Sequence, residues 1–512
     1  MLFYDKTFND KHTLGVTLLQ SIQEDKKENV NVAMENLPAD NLKYYDLGSG
    51  LVTNTIGSSM IKWNMASFMG RINYNYLGRY LLTVSARYDG SSRLADGHKW
   101  VLFPSAALAW RINEESFMSS TSGWLDNLKL RLGFGKTGNS AVDPYQTKGT
   151  LSLIRYPFDN GGTPTIGYAP NAMANSLLTW ETTDQWNLGI DFGVLRGRIN
   201  GTIDLYMQNT HDLLLKRQLP VVSGFPDVLS NVGKTRNKGI EVSINSMNIN
   251  SKDFQWTTDL MLSSNKEEIV ELYNGKNDDI GSKWFIGQPV NVHYDYRKVG
   301  IWQNTESDLA EMAKFAANGT EFAPGDIKIQ DVNGDYKITD ADKQILGNPR
   351  PKLIASMVNT FNYKGFDLSV FLYASFGAML YNDIYALEHC GRNGGVKVDY
   401  WTPNNPTNAY PRPSIDEERP IYITSTYYEK ADFLRVKTMT LGYTLPKTLT
   451  NKFLVEKLRV YFTAQNPFIF TNYTGIDPEA AKVNSAGNPE TNGSGFGTPS
   501  VSSWIFGINL TL

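Results

Sequence analysis

The clearest alternation of apolar and polar positions lies in Trp504-Ile505-Phe506-Gly507-Ile508-Asn509-Leu510-Thr511-Leu512. Trp504, Phe506, Ile508, Leu510 and Leu512 share one face of an extended chain. Gly507, Asn509 and Thr511 share the other, with Ile505 as the exception. Period-2 alternation of this kind marks a strand with one apolar and one polar face. At roughly 3.3 Å per residue and a tilt near 40°, the stretch rises about 20 Å, close to the ~25 Å apolar band of an outer-membrane barrel. An aromatic opens the band, as an interfacial girdle requires. The pattern predicts the closing strand of a transmembrane β-barrel.

The same alternation predicts strands over Leu2–Phe8, His12–Ile22, Ser67–Tyr76, Tyr80–Tyr88, Val101–Ile112, Leu128–Phe134 and Trp186–Phe192. It continues over Ile199–Met207, Ile240–Ile244, Phe254–Leu262, Leu353–Tyr363, Phe366–Leu372, Phe433–Tyr443 and Leu458–Ala464. That makes about fourteen or fifteen strands. Their connections alternate between tight turns, such as Leu77-Gly78, Leu195–Gly197 and Lys364-Gly365, and long polar stretches over 137–182, 265–351 and 377–431. Residues 23–66 read as one more polar link. Short periplasmic turns and long extracellular loops are the habit of bacterial outer-membrane barrels. The order of the two ends holds if Val292–Trp302, itself strand-like, lies inside an extracellular loop. On the faces, Leu128, Leu130, Leu132 and Phe134 should meet lipid with Trp186, Leu188, Ile190 and Phe192. Lys129, Arg131, Asn187 and Asp191 should face the lumen. A soluble sandwich or propeller also shows many short strands, but long loops on one side only argue against it.

Composition narrows the picture without changing it. No apolar run approaches the 18 residues of a membrane helix, which excludes a helical membrane protein but not a barrel. Basic and acidic residues nearly balance, 49 against 52, so nothing points to nucleic acid. The single cysteine, Cys390, excludes a disulfide scaffold and a multi-cysteine zinc site. Its neighbour His389 has no second pair to complete a metal site, and the other histidines are scattered. The start, MLFYDKTFND, lacks a signal-peptide pattern, so an incomplete chain is expected. Gly133-Phe134-Gly135-Lys136-Thr137-Gly138 matches G-x-G-x-x-G, yet turn residues follow where a phosphate-binding helix should start. No H-E-x-x-H or G-x-S-x-G motif is present, and no enzyme is expected.

Two features carry candidate chemistry. In Asp331–Asp342, Asp331, Asn333 and Asp335 occupy positions 1, 3 and 5 of a twelve-residue calcium loop. Lys337 would give its carbonyl at position 7, with Thr339 at 9 and Asp342 at 12. Tyr336 stands where glycine permits the sharp turn, and left-handed geometry at a non-glycine costs about 1 kcal/mol. Asp342 replaces the longer bidentate Glu. The expected ion is structural Ca²⁺. The second feature is the aromatics of the long loops: Tyr156, Tyr168, Trp284, Trp302, Tyr381, Tyr385, Tyr400, Trp401 and Tyr410. Such rings either stack on substrate or pack the loops together.

Several segments, taken in order, resemble one family. They include Arg71-Ile72-Asn73-Tyr74-Asn75-Tyr76, Arg87-Tyr88-Asp89-Gly90-Ser91-Ser92-Arg93, Phe103-Pro104-Ser105, Trp110-Arg111-Ile112 and Gly135-Lys136-Thr137-Gly138-Asn139. Trp180-Glu181-Thr182-Thr183, Asp331-Val332-Asn333-Gly334-Asp335 and Leu346-Gly347-Asn348-Pro349 follow. Jointly they resemble the SusC/RagA-like TonB-dependent transporters of Bacteroidota outer membranes. The resemblance implies a barrel of about 22 strands importing oligosaccharides or peptides, captured beneath a SusD-like surface lipoprotein. TonB would energise import by pulling on a plug inside the barrel. Residues 1–512 would then be the C-terminal part of the barrel, with the plug domain, TonB box and first strands expected ahead of Met1. The alternative is an outer-membrane structural or adhesin barrel that does not transport.

Overall fold

The computed structural model describes all residues except 40, 42, 159–163, 383–396, 416–418, 454, 480–499 and 512. His389, Cys390, Tyr385 and Leu512 lie outside the described residues. Fifteen strands form one sheet in simple up-and-down order, each antiparallel to its neighbour. They are β1 (Leu2–Phe8), β2 (His12–Glu35), β3 (Val52–Tyr76), β4 (Tyr80–Ser91), β5 (Trp100–Arg111), β6 (Leu125–Asn139), β7 (Glu181–Val194) and β8 (Ile199–His211). Then come β9 (Lys234–Asn250), β10 (Phe254–Glu271), β11 (Leu353–Tyr363), β12 (Phe366–Phe376), β13 (Phe433–Thr444), β14 (Lys457–Thr471) and β15 (Ser503–Thr511). No described helix is long and apolar enough to cross a membrane.

The register sorts the two faces as alternation predicts. Paired residues on adjacent strands project to the same side. Leu128, Leu130, Leu132 and Phe134 pair with Phe192, Ile190, Leu188 and Trp186. Lys129 pairs with Asp191, Arg131 with Gly189 and Gly133 with Asn187 on the opposite face. Large apolar side chains stand unburied on the first face, Phe506 of β15 at 81% exposure. In water that would be untenable for a contiguous surface; against hydrocarbon it is the favourable arrangement.

Aromatic rings mark two levels on this face. At the short-turn end Tyr80 stacks between Tyr76 and Trp110, and Phe366 meets Tyr443 at 4.4 Å between ring centroids. At the long-loop end Trp100 lies 4.9 Å from Tyr88, and Trp504 stacks on Phe462 at 5.7 Å. The step from Tyr80 to Tyr88 rises about 20 Å at a tilt near 40° and roughly 3.3 Å per residue, the spacing of two interfacial girdles. The turns fit too: Lys364 and Gly365 both take positive φ, 45° and 91°, as a two-residue hairpin matched to strand twist demands.

One expectation fails. Residues 23–66 are not a simple link: β2 and β3 stay paired from His12 and Tyr76 out to Glu35 and Val52, with one register shift between Ala33 and Met34. Pairing of β3 with β4 begins only at Met65 and Ser91, so the outer part is a two-stranded ribbon standing clear of the sheet. Neither face of it is buried, hence no alternation in the sequence. Cross-strand charges such as Lys62 with Glu24, at 3.1 Å, take the place of apolar contacts.

The buried core lies among the long loops. The strand-like Val292–Trp302 becomes two short strands outside the main sheet. His293–Tyr296 pairs with Lys343–Gly347, and Lys298–Ile301 with Ile327–Ile329. Helix α1 (Glu306–Ala317) is capped by Thr305, whose side chain accepts from Asp308 N, and buries Met312 and Phe315 against Trp302. Ile301, Ile327 and Ile329 pack with Trp401, Ile423 and Tyr427, joining loops 272–352 and 377–432 into one body.

A charge placed at mid-depth on the apolar face costs about 2–4 kcal/mol. Phe134→Arg, level with Val84 midway between the two aromatic levels, should therefore deplete the folded, heat-modifiable form of the protein in outer-membrane fractions. Lys129→Gln, on the other face, should leave it at the unsubstituted level.

Candidate functional site

The polar face of the sheet is organised by ion pairs that reach across an intervening strand. Arg131 of β6 donates from Nε to Asp191 Oδ1 of β7 at 2.9 Å and from Nη2 to Asp204 Oδ2 of β8 at 3.0 Å. The bridge passes over Gly189 of β7, where a Cβ would sit 2.6 Å from both Arg131 and Asp204. Arg459 of β14 repeats the device. It reaches Asp367 of β12, donating from Nε to Oδ1 at 2.9 Å, over Gly442 of β13. Glycine inside a strand is weak in isolation, but here its missing side chain is the space the guanidinium occupies. Sequence alternation does not find these bridges, because they need the pairing register. The only sequence signal is an isolated glycine in an alternating run.

A second group ties a loop to the wall. Arg435 of β13 and Asp477 of loop 472–502 are both 4% exposed and meet at 2.5 Å. Glu479 adds to this, 3.1 Å from Arg435 Nε, and it also pairs with Lys437. Asp477 is held further by the backbone N–H groups of Glu479 and Ser500 at 2.9 and 3.0 Å. Removing one member would strand the other as an uncompensated buried charge.

Three of the loop aromatics serve packing. Trp302 is completely buried, with Lys328 Nζ 4.0 Å over its ring and Phe315 edge-on. Trp401 is buried and donates from Nε1 to Gln303 Oε1 at 2.8 Å. Tyr381 packs against Tyr427 and Tyr428. Tyr156, Tyr168 and Tyr400 remain exposed, the first two on the hairpin formed by Thr150–Tyr156 and Thr165–Ala172. The two loops are also latched by His293, which is buried and donates from Nε2 to the Met379 carbonyl at 2.8 Å. Burial holds the His293 pKa below its usual 6.5, outweighing the hydrogen bond. Tyr296 is pushed up to about 12 by burial and by its bond to Asp340.

The structure brings part of the candidate calcium loop together. Asp331 accepts from Gly334 N through Oδ1 and from Tyr336 N through Oδ2, both at 2.8 Å. Asn333 Oδ1 accepts from Asp335 N at 3.0 Å, and its Nδ2 donates to Asp335 Oδ2 at 2.9 Å. Asp335 Oδ1 accepts from Lys337 N at 2.8 Å. Tyr336 takes the left-handed turn, φ 56°, that glycine usually fills. Asp342, fully buried, accepts from Val332 N at 2.9 Å and from Thr339 N at 2.8 Å. Thr339 caps the short helical turn Asp340–Asp342 through Ala341 N. Among the described residues, no three His, Cys, Asp or Glu side chains converge as a ready-made metal cluster.

Comparison with known proteins adds the lineage. The family model "TonB dependent receptor-like, beta-barrel" matches residues 4–466. TonB-dependent receptor P3 of Formosa agariphila is 32% identical over 528 residues, covering 99% of this chain and 51% of the relative. TonB-dependent receptor SusC of Bacteroides thetaiotaomicron is 35% identical over 434 residues, covering 81% and 41%. The chain spans about half the length of the curated relatives it matches. Among solved structures, the RagAB peptide transporter superposes with a TM-score of 0.81 at 22% identity, over 99% of this chain and 54% of that one.

The His293 latch should be sensitive to acid. Its packed-state pKa lies below 6.5, so as pH falls through that value the opened loop takes up a proton that the packed loop resists. Packing therefore weakens on acidification and is intact above neutrality. Hydrogen-exchange protection of residues 293–296 and 379–381, corrected for intrinsic rates, should fall between pH 7.5 and 5.5. In His293→Gln it should stay flat; unchanged protection in the unsubstituted protein would contradict the latch.

Proposed function

The chain belongs to the TonB-dependent receptor β-barrels of the outer membrane, and from that premise we propose that it forms wall and extracellular loops of an active nutrient importer. The observation that carries this reading is the division of the sheet. One face is apolar and bounded by aromatic levels, the other is lined with ion pairs, and a folded loop body joins strands at one end only. A polar lumen under structured loops suits a gated path for a hydrophilic solute. The cargo is an oligosaccharide or a peptide, taken up with a SusD-like lipoprotein on the loop side and energised through TonB. The RagAB peptide transporter, by its name, supports the peptide class. A barrel that only adheres or supports the envelope would need neither TonB nor a nutrient.

Growth separates the two. Deleting the gene for the full-length protein, or removing TonB, should abolish growth on one glycan or peptide as sole source while growth on glucose persists. Undiminished growth on every such source in both strains would leave the non-transporting barrel.

We also propose that the Asp331–Asp342 loop holds a structural Ca²⁺, through the oxygens of Asp331, Asn333, Asp335 and Asp342, the Lys337 carbonyl, and Thr339 at position 9. The alternating oxygens and the tight turn at Tyr336 support it; the ion would pin loop 272–352. Calorimetry of the purified full-length protein should show calcium-dependent heat at millimolar Ca²⁺ that Asp331→Ala removes. No heat in the unsubstituted protein leaves only an Asn-Gly-Asp turn.

A further inference from the structure

On the polar face, β3 to β6 and the loop residues Arg93 and Trp180 border an open cavity of about 620 Å³. Arg71, Arg87 and Arg93 line it against a single carboxylate, Asp89. Arg87 is committed: its Nε donates to Asp89 Oδ1 at 2.7 Å and its Nη2 to Ser67 Oγ at 3.0 Å. The side chains of Arg71 and Arg93 have no carboxylate or hydrogen-bonding partner among the described residues. Arg93 sits over Trp63, its guanidinium carbon 3.9 Å from the ring centroid. Its Nε is shut off from water and unpaired. A buried N–H without an acceptor is unfavourable, and a guanidinium fork is shaped for the paired oxygens of a carboxylate or sulfate. The charge is local, since the whole chain carries a net −3.

We propose that this cavity binds the oxyanions of an acidic oligosaccharide, sulfates or uronate carboxylates, with Arg71 and Arg93 as separate partners spaced along β3. The proposal rests on the importer reading and narrows its cargo class. A glycan fits the surroundings better than a peptide. The hydroxyls of Ser85 and Ser105, bonded to each other at 2.6 Å, and of Thr137 line the same cavity, offering sugar hydroxyls their usual partners.

The test is calorimetric titration of the full-length protein in detergent with four probes of similar size. These are a heparin-derived hexasaccharide, hexagalacturonate, neutral maltohexaose and hexaglutamate. At least one acidic sugar should bind, more weakly at 200 mM than at 50 mM salt, and maltohexaose should bind at least about ten-fold more weakly. R71Q and R93Q should each reduce acidic-sugar affinity by about ten-fold, with R93K recovering part of it. Heat-modifiable gel mobility reports whether each variant is folded; if neither folds, the preference of the unsubstituted protein for acidic over neutral sugar decides. Binding indifferent to charge, preference for hexaglutamate, failure of both acidic sugars, or folded variants binding normally would each overturn the proposal. The importer reading fails separately, through normal growth of the deletion strain; loss of growth with charge-indifferent binding would overturn this inference alone.

Discussion

Hydrocarbon offers no partner for a backbone N–H or C=O, and each group left unpaired there costs several kcal/mol. That constraint accounts for the single up-and-down sheet, in which every internal strand is paired on both sides. It also sets the side-chain pattern. A strand that must meet lipid on one side and a polar lumen on the other can only alternate, so Leu128, Leu130 and Leu132 face one way and Lys129 and Arg131 the other.

Alternation leaves the polar face with charges that need partners in limited space. Glycines in the middle strands resolve this: Gly189 makes room for Arg131 to reach Asp204, and Gly442 for Arg459 to reach Asp367. The loops answer a different demand. They sit beyond the apolar band and bury their own core, around Trp302 and around Ile301, Ile327 and Trp401. Arg435 with Asp477 and His293 with Met379 then connect loop to wall and loop to loop.

Strands facing lipid were legible in the sequence because one face is selected to be apolar. Leu2–Phe8 and Leu353–Tyr363 have the bounds that alternation predicts. The outer ribbon of β2 and β3 was illegible because solvent touches both of its faces. Trp302 and Trp401 could have been read as stacking platforms or as core, and only tertiary contacts decide for core. Asp331, Asn333 and Asp335 were legible as a turn with oxygens at alternate positions, whereas the engagement of Asp342 with Val332 and Thr339 depends on the fold. The cavity beside Arg93 draws on four strands and two loops, and no local pattern could reveal it.

The central claim is that Leu128, Leu130, Leu132 and Phe134 of β6 face lipid while Lys129, Arg131, Gly133 and Gly135 face a polar lumen. Single cysteines at positions 128 to 135 of the full-length protein, in a Cys390→Ser background, can carry nitroxide labels in bilayers. Collision with oxygen, which partitions into lipid, should peak at 128, 130, 132 and 134. Collision with a polar nickel chelate should peak at 129, 131, 133 and 135. Uniform access to the chelate along the strand, or the opposite phase, would contradict the membrane-wall account.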